Sequence, residues 1–212
     1  MLDRALIVAL FLLICPAARP QGSVIPLKDD GAFRQKFAES SARTQTIEAA
    51  FTQEKNLSVL SEKIISKGKF VFKKENRLRW EYTEPFRYLI LLNNGTMTIR
   101  DEAKDSKVDV RNNKMFAEIN SIILGCVQGT IFNDVKKFSS SFFENQGSFI
   151  VKLKPLEPAL KQYLSEIVIL ISKTDMTVSR LEMHEPSGDF TRIDFSGVRI
   201  NSSIPDATFL AP

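Results

Sequence analysis

The sequence predicts a mainly β fold: a barrel or strongly curved antiparallel sheet of about ten or eleven short strands, accompanied by two amphipathic helices. Three observations carry this. Apolar residues alternate with polar ones over most of the chain, and side chains two apart share one face of a strand. Tight-turn signals separate the runs, among them Asn94-Gly95 and Pro186-Ser187-Gly188-Asp189. Two stretches, 29–42 and 115–124, switch to helical spacing and carry apolar stripes suited to cover a concave sheet.

Met1 to Gly22 reads as a secretory signal peptide, with a basic Arg4, an unbroken apolar run from Ala5 to Ile14, and Pro16-Ala17-Ala18 after it. The apolar run is too short to span a bilayer. Ile14 is bulky where lipoprotein processing requires a small residue before the cysteine, which disfavours lipidation at Cys15. Without Cys15, Cys126 is the only cysteine and no intramolecular disulfide forms. The export segment predicts a periplasmic location, and residues 23–212 read as one domain with no repeat, linker or low-complexity tract.

Ser23 to Leu27 is a lead-in. Asp29 or Asp30 caps a helix to about Ala42, with Phe33 and Phe37 four apart on one stripe. From Ile47 the period becomes two, with Ile47, Ala49 and Phe51 on one face. A charged loop, Glu54 to Glu62, follows. Phe70 and Phe72 then share a face, turn at Lys74-Glu75-Asn76, and return as Leu78, Trp80 and Tyr82 against Arg77, Arg79 and Glu81. Pro85 ends this hairpin. Phe86 to Leu92 is apolar on both faces, and Met97 and Ile99 return after Asn94-Gly95. A short strand follows at Lys107 to Val110. Met115, Ile119, Ile122 and Ile123 recur at helical spacing, with Gly125 placed to stop that helix. Thr130 to Asp134 is a further helical turn. Strands resume from Lys136: Phe149, Val151 and Leu153 alternate, Glu166 to Ile171 is apolar on both faces, Val178 to Met183 returns, and Ile193 and Phe195 alternate through to Ile200. Phe209-Leu210 closes the chain, tucked in.

The chemistry-bearing signals are few. His184 is the only histidine and reads as a surface residue; no histidine pair or CxxC offers metal spacing, and no nucleophile motif, P-loop or GxGxxG is present. Cys126 reads as an inert packed thiol. The sequence therefore predicts no catalytic residues, no metal and no cofactor. A net charge of +4, with 29 basic residues interleaved among 25 acids, is no nucleic-acid signature. What is left is a large aromatic inner face. Either the helices cover it permanently, or they cover it reversibly and the cavity takes acyl chains, whose burial is worth roughly 0.8 kcal/mol per CH₂.

The run Phe51-Thr52-Gln53, then Gly68, then Leu78-Arg79-Trp80-Glu81-Tyr82 and Pro85 resembles the periplasmic outer-membrane lipoprotein carriers of the LolA type. The resemblance continues through Ile90-Leu91-Leu92-Asn93-Asn94-Gly95, the insertion around Ile119 to Gly125, and the closing Phe209 to Pro212. It implies an incomplete, unclosed antiparallel barrel with a helical lid over a hydrophobic cavity. It also implies a monomeric carrier without cofactor, taking acylated lipoproteins from an inner-membrane lipoprotein-releasing ABC transporter to an outer-membrane acceptor. Phe51, Phe70, Phe72, Leu78, Trp80 and Tyr82 would line the cavity, extended by Tyr88, Ile90, Met97 and Ile99. Phe33 and Phe37, with Ile119, Ile122 and Ile123, would form the lid. Lys74 stands where the family has a lid-latching arginine, and Glu75 where a proline commonly follows; lysine lacks the planar fork of arginine. Two other roles share the pattern: a carrier or sensor of another lipid or glycolipid, and an outer-membrane acceptor anchored through Cys15.

Overall fold

The computed structural model describes residues 23–60, 62–93, 95–101, 105–109, 121–122 and 124–210. The expected signal peptide, Cys15, Asn94, Ile119 and Ile123 lie outside the described residues. Among those described, twelve strands form one antiparallel sheet: β1 (Ile25–Pro26), β2 (Thr46–Asn56), β3 (Ile64–Lys73), β4 (Arg77–Glu84), β5 (Tyr88–Asn93), β6 (Thr96–Asp101), β7 (Asp105–Asp109), β8 (Phe138–Glu144), β9 (Ser148–Pro155), β10 (Glu166–Ser172), β11 (Val178–His184) and β12 (Phe190–Ile200). The order is β1-β8-β9-β10-β11-β12-β2-β3-β4-β5-β6-β7. The two ends of that order, β1 and β7, are not paired with each other, so the sheet is an unclosed barrel with few helices.

Register decides what the inner face is made of. Phe195 pairs with Phe51, Phe51 with Gly68, Gly68 with Tyr82 and Tyr82 with Tyr88. The next row runs Ala49, Phe70, Trp80, Ile90 and Ile99, and the row beyond it Ile47, Phe72, Leu78, Leu92 and Met97. On the other half, Leu153, Ile167 and Met183 form one row and Val151, Ile169, Leu181 and Ile193 another. Because the side-chain period is two, each row is either wholly inside or wholly outside. Phe51, Phe70, Phe72, Leu78, Trp80, Leu92, Met97, Val151, Leu153, Ile167, Ile169, Leu181 and Ile193 from these rows form one buried cluster with Phe33, Phe37, Ile131 and Phe132.

Helix α1 (Asp30–Arg43) begins at Asp29, whose carboxylate accepts from the Ala32 amide at 2.9 Å. Phe33 and Phe37 are its buried residues and pack their rings on Phe132, with Phe33 also reaching Phe142 and Phe149. The helix therefore lies over the concave side, toward β8 and β9.

Several expectations are corrected. Ser23–Leu27 is not a mere lead-in: β1 pairs with β8, and the Leu27 amide donates to the Phe142 carbonyl at 3.0 Å. β2 continues through Glu54 to Asn56, because Glu54 is ion-paired to Lys63 and to Arg192 on the neighbouring β12. Gly125 does not stop its helix: residues 124–128 are helical, and the stop is Gly129, at φ 73°. A Cβ at Gly129 would fall 2.4 Å from the Phe37 ring, so the same glycine lets α1 seat. Phe86 is 74 % exposed in the turn before β5, not on a covered strand. Of the closing pair, Phe209 is buried and Leu210 is not. Phe209 belongs to a 3-10 turn, Asp206–Phe209, which packs on the outer faces of β4 and β5 and explains why Leu89 and Leu91 are buried on the convex side.

Candidate ligand-binding cleft

A cleft of about 670 Å³, counting its open mouth, separates the C-terminal half of α1 from the inner sheet. Its floor is Phe70 and Trp80, on neighbouring strands because of the β3–β4 register. One wall is Leu181, Phe195 and Val198 from β11 and β12; the opposite wall is Cys126 and Val127. Phe37, Ser40, Ser41 and Thr44 roof it. Phe70, Trp80 and Phe195 pack as mutual edge-on rings, with centroids 5.2 to 6.1 Å apart. The cleft is mostly apolar.

The expected cavity residues divide accordingly. Phe70 and Trp80 line the cleft. Phe51, Phe72, Leu78 and Met97 are buried in the packed cluster, and Tyr82, Ile90 and Ile99 pack against it half-buried. Tyr88 is half-buried beside Tyr82, ring centroids 5.9 Å apart. Of the expected lid residues, Phe37 roofs the cleft, Phe33 is buried on the same helix, and Ile122 packs on the cluster. Sequence reading missed the wall contributed by Met176, Val178, Leu181 and Phe195: alternation marked Phe195, but Met176 lies in the turn before β11, and a register shift against β10 brings Val178 to the same side as Leu181, three residues on.

Few polar groups interrupt the apolar interior. The Tyr82 hydroxyl donates to Gln53 Oε1 at 2.9 Å. Burial pushes its pKa up to about 12, partly offset by the Trp80 indole and Gln53. Trp80 Nε1 itself is buried without a well-formed hydrogen bond. The Cys126 thiol is pushed up to about 12 by burial, so it stays protonated and unreactive at neutral pH. Among the described residues no cluster of His, Cys, Asp or Glu is arranged to hold a metal ion. His184 lies 3.3 Å from Glu182 on the rim of the sheet, away from the cleft lining.

Polar ties fix α1 at both ends. Lys74 Nζ donates to the Ala42 carbonyl, and the Lys74 amide to Gln45 O at 2.8 Å. Asn201, in the left-handed region at φ 59°, clasps the helix exit: its Oδ1 accepts from the Gln45 amide at 2.7 Å and its Nδ2 donates to Arg43 O at 3.2 Å. At the other end, Arg34 donates to the Phe132 carbonyl and to Asn133 Oδ1, and its guanidinium stacks 4.4 Å above the Phe142 ring.

A sequence profile for the outer membrane lipoprotein carrier protein LolA matches residues 42–211. The chain belongs to the LolA family. The profile begins at the last turn of α1, so most of that helix precedes the LolA match. Among LolA relatives, an outer-membrane lipoprotein carrier protein of Pseudomonas putida strain W619 is 26 % identical over 185 residues, spanning 82 % of this chain and 80 % of its own. A second, from P. putida strain GB-1, is 26 % identical over 182 residues, 82 % of this chain and 81 % of its own. A chain in the MucA/MucB complex of Pseudomonas aeruginosa superposes with a TM-score of 0.52 at 12 % identity, over 87 % of this chain and 62 % of that one, a likeness of fold alone. Of the residues that carried the resemblance, Phe51, Gly68 and Tyr82 are side by side across β2, β3 and β4, and Trp80, one row along, packs its ring on Phe51.

Proposed function

We propose that this chain is a periplasmic carrier that holds the acyl chains of lipoproteins in the cleft beneath α1. It takes them from an inner-membrane lipoprotein-releasing ABC transporter and delivers them to an outer-membrane acceptor, acting as a monomer without cofactor or catalytic residue. The observation that supports this most is the cleft itself: an aromatic floor of Phe70 and Trp80 roofed by a helix that polar ties hold at its two ends. Membership of the LolA family supports the same reading.

The energetics suit a carrier. An acyl chain gains roughly 0.8 kcal/mol per CH₂ on leaving water, but a bilayer offers the same gain. Moving a chain from lipid to an apolar cleft is therefore nearly neutral, and the polar ties of α1, each worth on the order of 1 kcal/mol, are large enough to bias loading and release. Lys74 is the residue proposed to latch the lid, Phe33, Phe37 and Ile122 its apolar underside, and Phe70 and Trp80 the principal acyl contacts.

Native mass spectrometry of the exported protein, with lipid extraction alongside, tests the reading. Co-purifying acylated lipoprotein is expected. Another lipid or glycolipid in its place would overturn the cargo assignment. An empty protein that also refuses a fluorescent acyl probe would overturn the carrier reading.

A further inference from the structure

A second cleft, about 730 Å³ and open to solvent, lies beside the first and shares Ser41, Thr44 and Val127 with it. It occupies the space between α1, the β3–β4 turn and residues 127–133. Its chemistry is different. Lys74, Gln128, Thr130 and Asn133 line it, and no carboxylate does. Lys74 Nζ carries three N–H donors and uses one on Ala42. Asn133 Oδ1 accepts from Arg34 at 3.1 Å, and its amide N–H groups have no acceptor among the described residues. Gln128 makes one long bond, 3.4 Å, to Asn76 Oδ1. The cleft thus presents a positive charge and spare donors to a ligand, directly alongside an apolar slot.

A group that complements the ammonium and the spare amide donors has hydrogen-bond acceptors with hydrocarbon attached. The ester carbonyls of a diacylglyceryl unit are such a group. We propose that the donor-lined cleft binds the two ester carbonyls of a diacylglyceryl head while the acyl chains pass the shared wall of Ser41, Thr44 and Val127 into the apolar cleft. The proposal rests on the carrier reading and adds to it: the protein recognises the ester linkage as well as the chain. It also gives Lys74 a second role, since the donors not engaged by Ala42 point the same ammonium at the ligand.

The test leaves Lys74 in place, so that the lid is not loosened. Gln128→Glu replaces the amide donors of one wall with a negative charge, and Asn133 is also left in place because it ties Arg34 of α1. Thr130→Val is the milder control for folding. Binding of three probes is measured by fluorescence competition: a pyrene-labelled alkane without an ester, a synthetic diacylglyceryl cysteinyl peptide, and dioleoyl phosphatidylglycerol. The expected result is about tenfold weaker binding of the peptide by Gln128→Glu, about 1.4 kcal/mol, with a smaller loss in Thr130→Val and unchanged alkane binding. An equal loss for phosphatidylglycerol supports the shared diacylglyceryl group as the feature read; a loss confined to phosphatidylglycerol overturns the ester assignment in favour of phosphate. Unchanged peptide binding, or parallel losses on peptide and alkane, overturns it as well. A wild-type protein that fails to bind the alkane rejects the carrier reading itself, which separates the two failures.

Discussion

The Phe51 ring lies over Gly68, its partner on the neighbouring strand, and reaches across that strand to Tyr82. The Phe51 and Tyr82 rings meet edge-on with centroids 5.1 Å apart. A Cβ on Gly68 would fall 2.6 Å from the Phe51 ring and 2.0 Å from the Glu81 carbonyl, at the register shift between β3 and β4. The absent side chain is what allows three strands to share one aromatic row. Gly68→Ala should therefore destabilise the fold by about 1–3 kcal/mol, the usual range for overpacking, measured by urea unfolding. Phe51→Leu in the same background should recover only the ring clash and not the carbonyl clash. A neutral Gly68→Ala would show that the row is not tightly packed.

Lys74→Met removes the donor to the Ala42 carbonyl while keeping the aliphatic stem. That carbonyl is one of the four that a helix C-terminus leaves without an internal partner. Hydrogen exchange of α1 amides should accelerate, with a global stability loss of no more than about 1 kcal/mol because the contact is near solvent. Lys74→Arg should slow exchange relative to the wild type, since the guanidinium fork can engage more than one carbonyl. Identical exchange in all three proteins would remove Lys74 from the latch.

Asn201 combines two jobs that substitution can separate. Its backbone sits in the left-handed region, and its amide bridges Gln45 and Arg43. Asn201→Gly keeps the backbone and loses both side-chain bonds; Asn201→Ala loses the bonds and adds left-handed strain of roughly 1–2 kcal/mol. Thermal unfolding should rank wild type above Gly and Gly above Ala. An alanine variant as stable as the glycine variant would count against backbone strain at this hinge.

Ser40 roofs the apolar cleft from a half-exposed position on α1. Ser40→Trp should fill the mouth and weaken binding of a fluorescent acyl probe by about tenfold or more, about 1.4 kcal/mol per tenfold, while leaving the unfolding free energy from urea titration within about 0.5 kcal/mol of wild type. Unaltered probe binding would place the ligand elsewhere.

Alkaline pH should destabilise the protein through two buried acids. The Cys126 thiol and the Tyr82 hydroxyl are each pushed up to about 12, from ordinary values of 9.0 and 10.0. Above its ordinary value the unfolded chain releases the proton while the folded protein keeps it, so the unfolded state is favoured as pH rises. Stability should be insensitive to these groups below pH about 9 and fall between about 9 and 12, by at most about 1.4 kcal/mol per pH unit for each group. Urea unfolding of Cys126→Ala should show the onset moved up by about one pH unit, toward the Tyr82 range. An unchanged onset would show that Cys126 is not the first group to titrate.

Much of the sheet was legible because its cause is local. The alternation of Phe70 and Phe72, and of Leu78, Trp80 and Tyr82, states which side faces inward without reference to any partner. Asp29 announced the start of α1 in the same way. The reading failed where a partner far along the chain made the decision. β2 runs past Glu54 because Arg192, 138 positions away, pairs with it. Leu89 and Leu91 are covered on the outer face because the C-terminal turn folds back across β4 and β5. Gly125 and Gly129 look equally suited to stop a helix; only the left-handed backbone at Gly129 and its contact with Phe37 separate them.

The sequence by itself determined the class of fold, the aromatic character of the inner face and the family resemblance, since each follows from residue type and short-range spacing. The tertiary structure alone decided which apolar residues are core and which line a cleft. Leu78 and Trp80 carry the same signal in sequence, yet Leu78 is buried in the packed cluster and Trp80 floors the apolar opening. The reason is that periodicity fixes the face on which a side chain lies, whereas the space above that face is set by where a separate helix is tied, and Lys74, Asn201 and Arg34 make those ties across gaps of 32 to 158 residues.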